Sequence, residues 1–91
     1  MAGKLEKKFE VLNEFGIHAR PAALLVKTAS EFDSDIIIEN NGAEVSAKSI
    51  MGLLTLEGYQ GSVLTVTTEG DDASEAMSAI EALFVNKFYE D

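Results

Sequence analysis

The stretch that most limits what this chain can fold into is "SVLTVTTEG", residues 62–70, in which Leu64 and Val66 alternate with Thr65 and Thr67. A period of two sends the aliphatic pair to one face of a strand and the threonines to the other, so this strand has one packed face and one wet face. A sheet made of such strands needs cover on a single side, which points to an antiparallel sheet with helices on one face. The rest of the chain supplies both parts. Residues 4–12 alternate imperfectly, with Leu5, Phe9 and Val11 on one parity and Glu6, Lys8 and Glu10 on the other. "DIIIE" at 35–39 and "AEVSA" at 43–47 predict two more strands, joined by a hairpin turn over "NNG" at 40–42.

Three segments switch to helical spacing. Ala22, Leu25, Val26 and Ala29 fall at i, i+3, i+4 and i+7, with Pro21 in the first turn and the helix start near His18. "KSIMGLLTLEG", 48–58, predicts a short helix capped by Ser49 and ended by Gly58. Residues 71–91 predict a third helix, with Met77, Ile80, Leu83, Phe84 and Phe88 on one stripe and a D-x-x-E capping start at Asp72 and Glu75. The expected order is βαββαβα: an α+β class with a four-stranded antiparallel sheet covered on one face by three helices, forming a single domain over residues 1–91.

Ninety-one residues that are 46% hydrophobic can close one modest core, burying about 60–70% of the unfolded chain's surface. Sixteen carboxylates against seven lysines and arginines give a net charge of −9, which opposes approach to nucleic-acid phosphates or anionic lipid. With no cysteine there is no disulfide or thiolate metal site, which is compatible with a reducing cytoplasm. The longest apolar run, "PAALLV", is far too short for a membrane span, and the N-terminal residues lack the continuous apolar stretch of a signal peptide. The expectation is a cytoplasmic protein that neither enters a membrane nor binds nucleic acid.

"GIHARPAA", residues 16–23, holds the only histidine, the only arginine and the only proline in the chain. Conformation alone accounts for Pro21, and a surface role would account for His18 and Arg20. A chemical account competes with this one. A helix start leaves backbone N–H groups unpaired and carries partial positive charge, so it binds anions and favours the neutral imidazole, whose lone pair is free for attack. His18 is then a nucleophile. A phosphoryl group captured there would meet the amides of Ala19 and Arg20 and the Arg20 guanidinium. The chain has no second histidine, no cysteine and no Gly-rich nucleotide loop to complete a hydrolase or kinase. No recognisable metal-ligand spacing and no cofactor motif is present. A site that accepts a phosphoryl group without nucleotide-binding parts suits a carrier between proteins. An acyl-phosphate hydrolase on a comparable framework ranks last, because no second cationic or amide-bearing motif supports it.

Ile50, Met51, Leu53, Leu54 and Leu56 take up too many positions around a short helix for all to face a core. Some must form exposed apolar surface for docking, while at least two of the three leucines are expected inside. A phosphate on Ser49 would suit the local helix dipole and would place charge beside that surface, a switch in principle.

"GIHARPAA" followed by "KSIMGLL" resembles the HPr family, the histidine-containing phosphocarriers of the bacterial phosphoenolpyruvate-dependent sugar phosphotransferase system. The resemblance covers about residues 4–88, and His18 and Ser49 stand 31 positions apart as in that family. It implies an open-faced β-sandwich and a stoichiometric carrier rather than an enzyme. His18 would take a phosphoryl group on Nδ1 from enzyme I and pass it to EIIA-type proteins, with Arg20 in support. Ser49 would be the target of an HPr kinase/phosphorylase, and Ala23, Lys27, Ile50, Met51 and Leu54 would contact partners, transcriptional regulators among them. A monomer with small, transient interfaces suits such turnover. "KSIMG" also looks like the NPr branch concerned with nitrogen regulation, so transport and regulation both stay open. Paralogues that lack the active histidine are disfavoured by His18.

Overall fold

The computed structural model describes residues 3–90. Its elements are β1 (Gly3–Glu10), α1 (Ala19–Ala29), β2 (Asp35–Asn40), β3 (Ala43–Ser46), α2 (Ile50–Leu54), β4 (Val63–Gly70) and α3 (Ala73–Val85), then a short 3₁₀-type turn, Lys87–Tyr89. The four strands form one antiparallel sheet in the order β1-β4-β2-β3, so the class expected from strand and helix periodicity is the one observed. The strand with alternating Leu64, Val66 and threonines lies in the interior of the sheet, paired on both sides. Leu64, Val66 and Thr68 are buried, as are Ile36 and Ile38 beside them, while Thr65, Thr67 and Ile37 lie on the open face. The β2–β3 hairpin closes through Asn41 and Gly42, both with positive φ (53° and 89°), the geometry of the type I′ turn that an Asn-Gly pair adopts readily.

Helices α1 and α3 pack against one another and cover the sheet, with α2 beside α1. Leu25, Leu53, Met77, Ile80, Phe84 and Phe88 fill the space between the layers. In α2, Leu53 and the following Leu56 are buried while Ile50, Met51 and Leu54 are exposed, dividing the apolar run as its crowding requires.

Four local expectations are corrected. Strand β1 ends at Glu10 instead of Leu12, and Leu5 stays 39% exposed because β1 is an edge strand with nothing outside it. Gly58 does not end the second helix, which closes at Leu54 with Thr55 as C-cap; Gly58 instead packs under Ile17. Asp72 is the residue before α3, yet its carboxylate does not cap that helix. It reaches across to the α1–β2 connection, accepting hydrogen bonds from the backbone N–H of Asp33 and Ser34 (both 2.9 Å) and from the Ser34 hydroxyl. Finally, α3 stops at Val85, so Phe88 is not on its stripe. Lys87, Phe88 and Tyr89 all take positive φ, between 54° and 60°, which turns the chain back and drops Phe88 into the core edge-on to Phe84, with ring centres 5.0 Å apart. Asp91, the last residue expected in that helix, lies outside the described residues.

Candidate functional site

The reversal after α3 has its consequence at the opposite end of the chain, where β1 leads into the loop before α1. That loop is held from two sides. The N–H of Ile17 donates to the carbonyl of Gly58 at 2.8 Å, and Gly16, at φ 65°, lies so close to the same carbonyl that a Cβ there would come within 2.2 Å of it. Only glycine meets both conditions, the left-handed backbone and the close approach. The fully buried Asn13 forms the second support: its Nδ2 donates to the carbonyl of Gly16 at 2.7 Å and to Oε1 of Glu90 at 2.9 Å.

His18 is the N-cap residue of α1, with extended backbone (φ −87°, ψ −167°), and its carbonyl accepts the first intrahelical bond from the N–H of Ala22 at 3.0 Å. Its side chain makes no capping bond, so the ring is free to face elsewhere. With Pro21 lacking an N–H, the donors that helix geometry leaves over at this terminus are those of Ala19 and Arg20. The imidazole Nε2 meets Oε2 of Glu90 at 2.8 Å, and the edge of the ring faces Phe15, with centroids 6.1 Å apart. Glu90 is thus bonded through one carboxylate oxygen to Asn13 and through the other to His18. Its side chain is only 12% exposed whereas that of His18 is 40% exposed, so the carboxylate is fixed and the ring can be reached from solvent.

A carboxylate accepts, so Nε2 carries a hydrogen in this contact, and in the neutral ring Nδ1 then holds the lone pair. The ring with its free Nδ1 lone pair belongs to the N-cap residue of α1, where the first-turn N–H groups form the positive end of the helix dipole. Arg20 sits exposed in the first turn, and the two ion pairs among the described residues, Lys7–Glu81 and His18–Glu90, do not involve it. Ala23 and Lys27 follow on the exposed side of α1. On α2, Ser49 is the N-cap and its hydroxyl accepts from the N–H of Gly52 at 3.1 Å. Ile50 and Leu54 are moderately exposed, and Met51 is 71% exposed.

Three contributors were missed in the sequence: Glu90, Asn13 and Phe15. Glu90 stands 72 positions from His18, and its approach depends on a left-handed turn built from three residues that carry no turn signature. Asn13 had a faint signal, as a small polar residue at the end of an alternating run.

Comparison with known proteins gives the family and the fold. A family profile described as the PTS HPr component phosphorylation site matches residues 5–86. The phosphocarrier protein HPr of Treponema pallidum is 51% identical over 85 residues, 93% of this chain and 97% of that one. The crystal structure of HPr from Thermoanaerobacter tengcongensis superposes with a TM-score of 0.92 at 47% identity, covering 96% of this chain and 98% of that chain. The solution structure of Crh, described as the Bacillus subtilis catabolite repression HPr, is 41% identical with a TM-score of 0.65, covering 88% and 95%. With a profile match and half-identical relatives running almost end to end, and with a fold to match, the chain belongs to the HPr family of phosphocarrier proteins, which carry phosphoryl groups and are not enzymes.

Proposed function

We propose that His18 is the carrier residue and Nδ1 its reacting atom. The observation that carries this is the bond between Nε2 and Glu90, which occupies one ring nitrogen and leaves the other as nucleophile at the start of α1. Nδ1 attacks the phosphorus of a phosphorylated donor, which the family resemblance makes enzyme I. The new N–P bond forms as the donor's bond to phosphorus breaks, and its electron pair leaves with the donor. The proton on Nε2 stays in place, so no proton transfer is needed. The arriving oxygens meet the N–H groups of Ala19 and Arg20, and the Arg20 guanidinium swings in to hold them. Passing the group to an EIIA-type acceptor is the same step in reverse. Ala23, Lys27, Ile50, Met51 and Leu54 make the small, releasable contact that such exchange requires.

In this reading one phosphocarrier domain spans residues 1–91 and works as a monomer in the cytoplasm. Among the described residues no helix is long and apolar enough to cross a membrane. The likeness to the catabolite repression HPr supports a second reading, in which a regulatory kinase phosphorylates Ser49 and transcriptional regulators respond. A phosphate on that exposed N-cap would add negative charge next to Ile50 and Met51.

Incubation with phosphoenolpyruvate and enzyme I separates the two readings. The carrier reading predicts an acid-labile phosphate that transfers onward, is lost in His18→Ala and persists in Ser49→Ala. The reverse dependence, with biological activity intact in His18→Ala and abolished in Ser49→Ala, would establish the regulatory role instead.

A further inference from the structure

The exposed face of α2 carries a chemistry that docking alone does not use. Of its apolar residues Ile50, Met51 and Leu54, Met51 stands furthest into solvent. The chain has three methionines and no cysteine. Met1 lies outside the described residues, and Met77 is 2% exposed in the core. Met51 is therefore the one sulfur that solvent reaches among the described residues. The fold does not need it there. Leu53 and Leu56 make the buried contacts of this segment, and the Ser49 hydroxyl caps the helix through the N–H of Gly52 at 3.1 Å.

We propose that Met51 is a site of reversible oxidation by hydrogen peroxide, and that its sulfoxide weakens the docking of phosphoryl donors and acceptors on α2; the second half rests on the carrier reading above. A lone pair on sulfur attacks one peroxide oxygen, and the S–O bond forms as the O–O bond breaks. The departing hydroxide takes the proton of the transferred oxygen and leaves as water. Sulfur loses two electrons and peroxide gains them. A thioether has no proton to lose, so this reaction needs neither a neighbouring base nor the electropositive surroundings that activate a thiol. Access decides the rate, and access separates Met51 from Met77.

The consequence falls on binding. As a thioether, Met51 is a flexible apolar side chain that repacks against different partners. As a sulfoxide, it sets a strong hydrogen-bond acceptor between Ile50 and Leu54. In the free protein that oxygen is hydrated, and the fold is indifferent to it. Under a partner surface suited to the apolar side chain, it loses its water and gains no donor. The reacting ring belongs to α1 and is untouched, so affinity falls while the chemical step keeps its rate. The change is polar but uncharged. Added salt leaves its effect in place, whereas salt screens the effect of a phosphate on Ser49.

The test treats the full chain with hydrogen peroxide and removes the excess with catalase before any partner is added. Peptide mass mapping should find one oxygen atom gained at Met51 and none at Met77, with the urea midpoint unchanged. In steady-state phosphorylation by enzyme I and phosphoenolpyruvate, KM for the treated chain should rise about tenfold with kcat unaltered. Methionine sulfoxide reductases with a thiol reductant should restore the starting KM. Met51→Leu, whatever its own starting KM, should show no further rise on treatment, which removes any contribution from Met1. Oxidation of Met51 no faster than that of Met77 overturns the proposal. So does an unchanged KM after treatment, a rise that Met51→Leu shares, or a loss that the reductases do not reverse. An untreated chain that takes no phosphate at His18 overturns the carrier reading as well, and that result is read before peroxide is added, so the two failures are told apart.

Discussion

At the scale of single residues, the site depends on what holds an ordinary imidazole in one orientation. Glu90 bonds Nε2 and is itself steadied by the buried Asn13. Replacing Glu90 with alanine removes a charge-assisted bond worth about 1–1.5 kcal/mol at this half-exposed ring. Phosphoryl transfer to His18 should slow about tenfold, and ¹⁵N spectra should show the ring leaving its Nε2–H tautomer for a mixture. Unchanged rate and tautomer would mean that Glu90 is a bystander. Gly16→Ala should cost at least about 2 kcal/mol in urea unfolding, since a Cβ at positive φ would collide with the carbonyl of Gly58. An unaltered urea midpoint would show that the loop relaxes easily. His18 and Arg20 were legible in the sequence because each is the only one of its kind and both stand at a helix start. Glu90 was one carboxylate among sixteen, distinguished only by where the chain carries it.

Elements were legible wherever one period governed a segment, as with Leu64 and Val66 in β4 or Ala22, Leu25 and Ala29 in α1, and least where a long-range contact overrode the local signal. The start and end of α3 show this. Asp72 has the sequence context of a capping box, but the N–H groups of Asp33 and Ser34 and the Ser34 hydroxyl compete for its carboxylate and win. At the other end, burial of Phe88 and the return of Glu90 outweigh continuation of the helix. The Asp72 clamp gives a pH dependence. The Ser34 hydroxyl first, and the backbone N–H of Asp33 next, hold the carboxyl below its ordinary value of 3.8. A group depressed in this way contributes stability that is complete above the ordinary value and is lost as pH falls through the folded-state value. Asp72→Asn should therefore lower the melting temperature at neutral pH, and the gap from wild type should close as the solution is acidified below 3.8. A gap of constant size down to low pH would rule out the ionised carboxylate as its source.

Across the whole molecule, the fold separates its tasks by surface. The interior strand β4 and the helices make the core, and the loop before α1 brings His18 to the surface with its ring half-exposed. α2 presents Met51 and its apolar neighbours next to α1, and the sheet leaves its other face wet. The α+β architecture was within reach of periodicity alone, because strands with one wet face admit cover on only one side. Periodicity did not point to a reacting nitrogen: the family resemblance implies Nδ1, and the geometric reason proposed for it is the contact of His18 with Glu90, 72 positions away. That nitrogen is the central claim, and NMR of the ¹⁵N-labelled, phosphorylated protein at neutral pH measures it directly through phosphorus–nitrogen coupling. The account predicts coupling to Nδ1 of His18 with the hydrogen retained on Nε2; phosphorus bound to Nε2, or to any other residue, would contradict it.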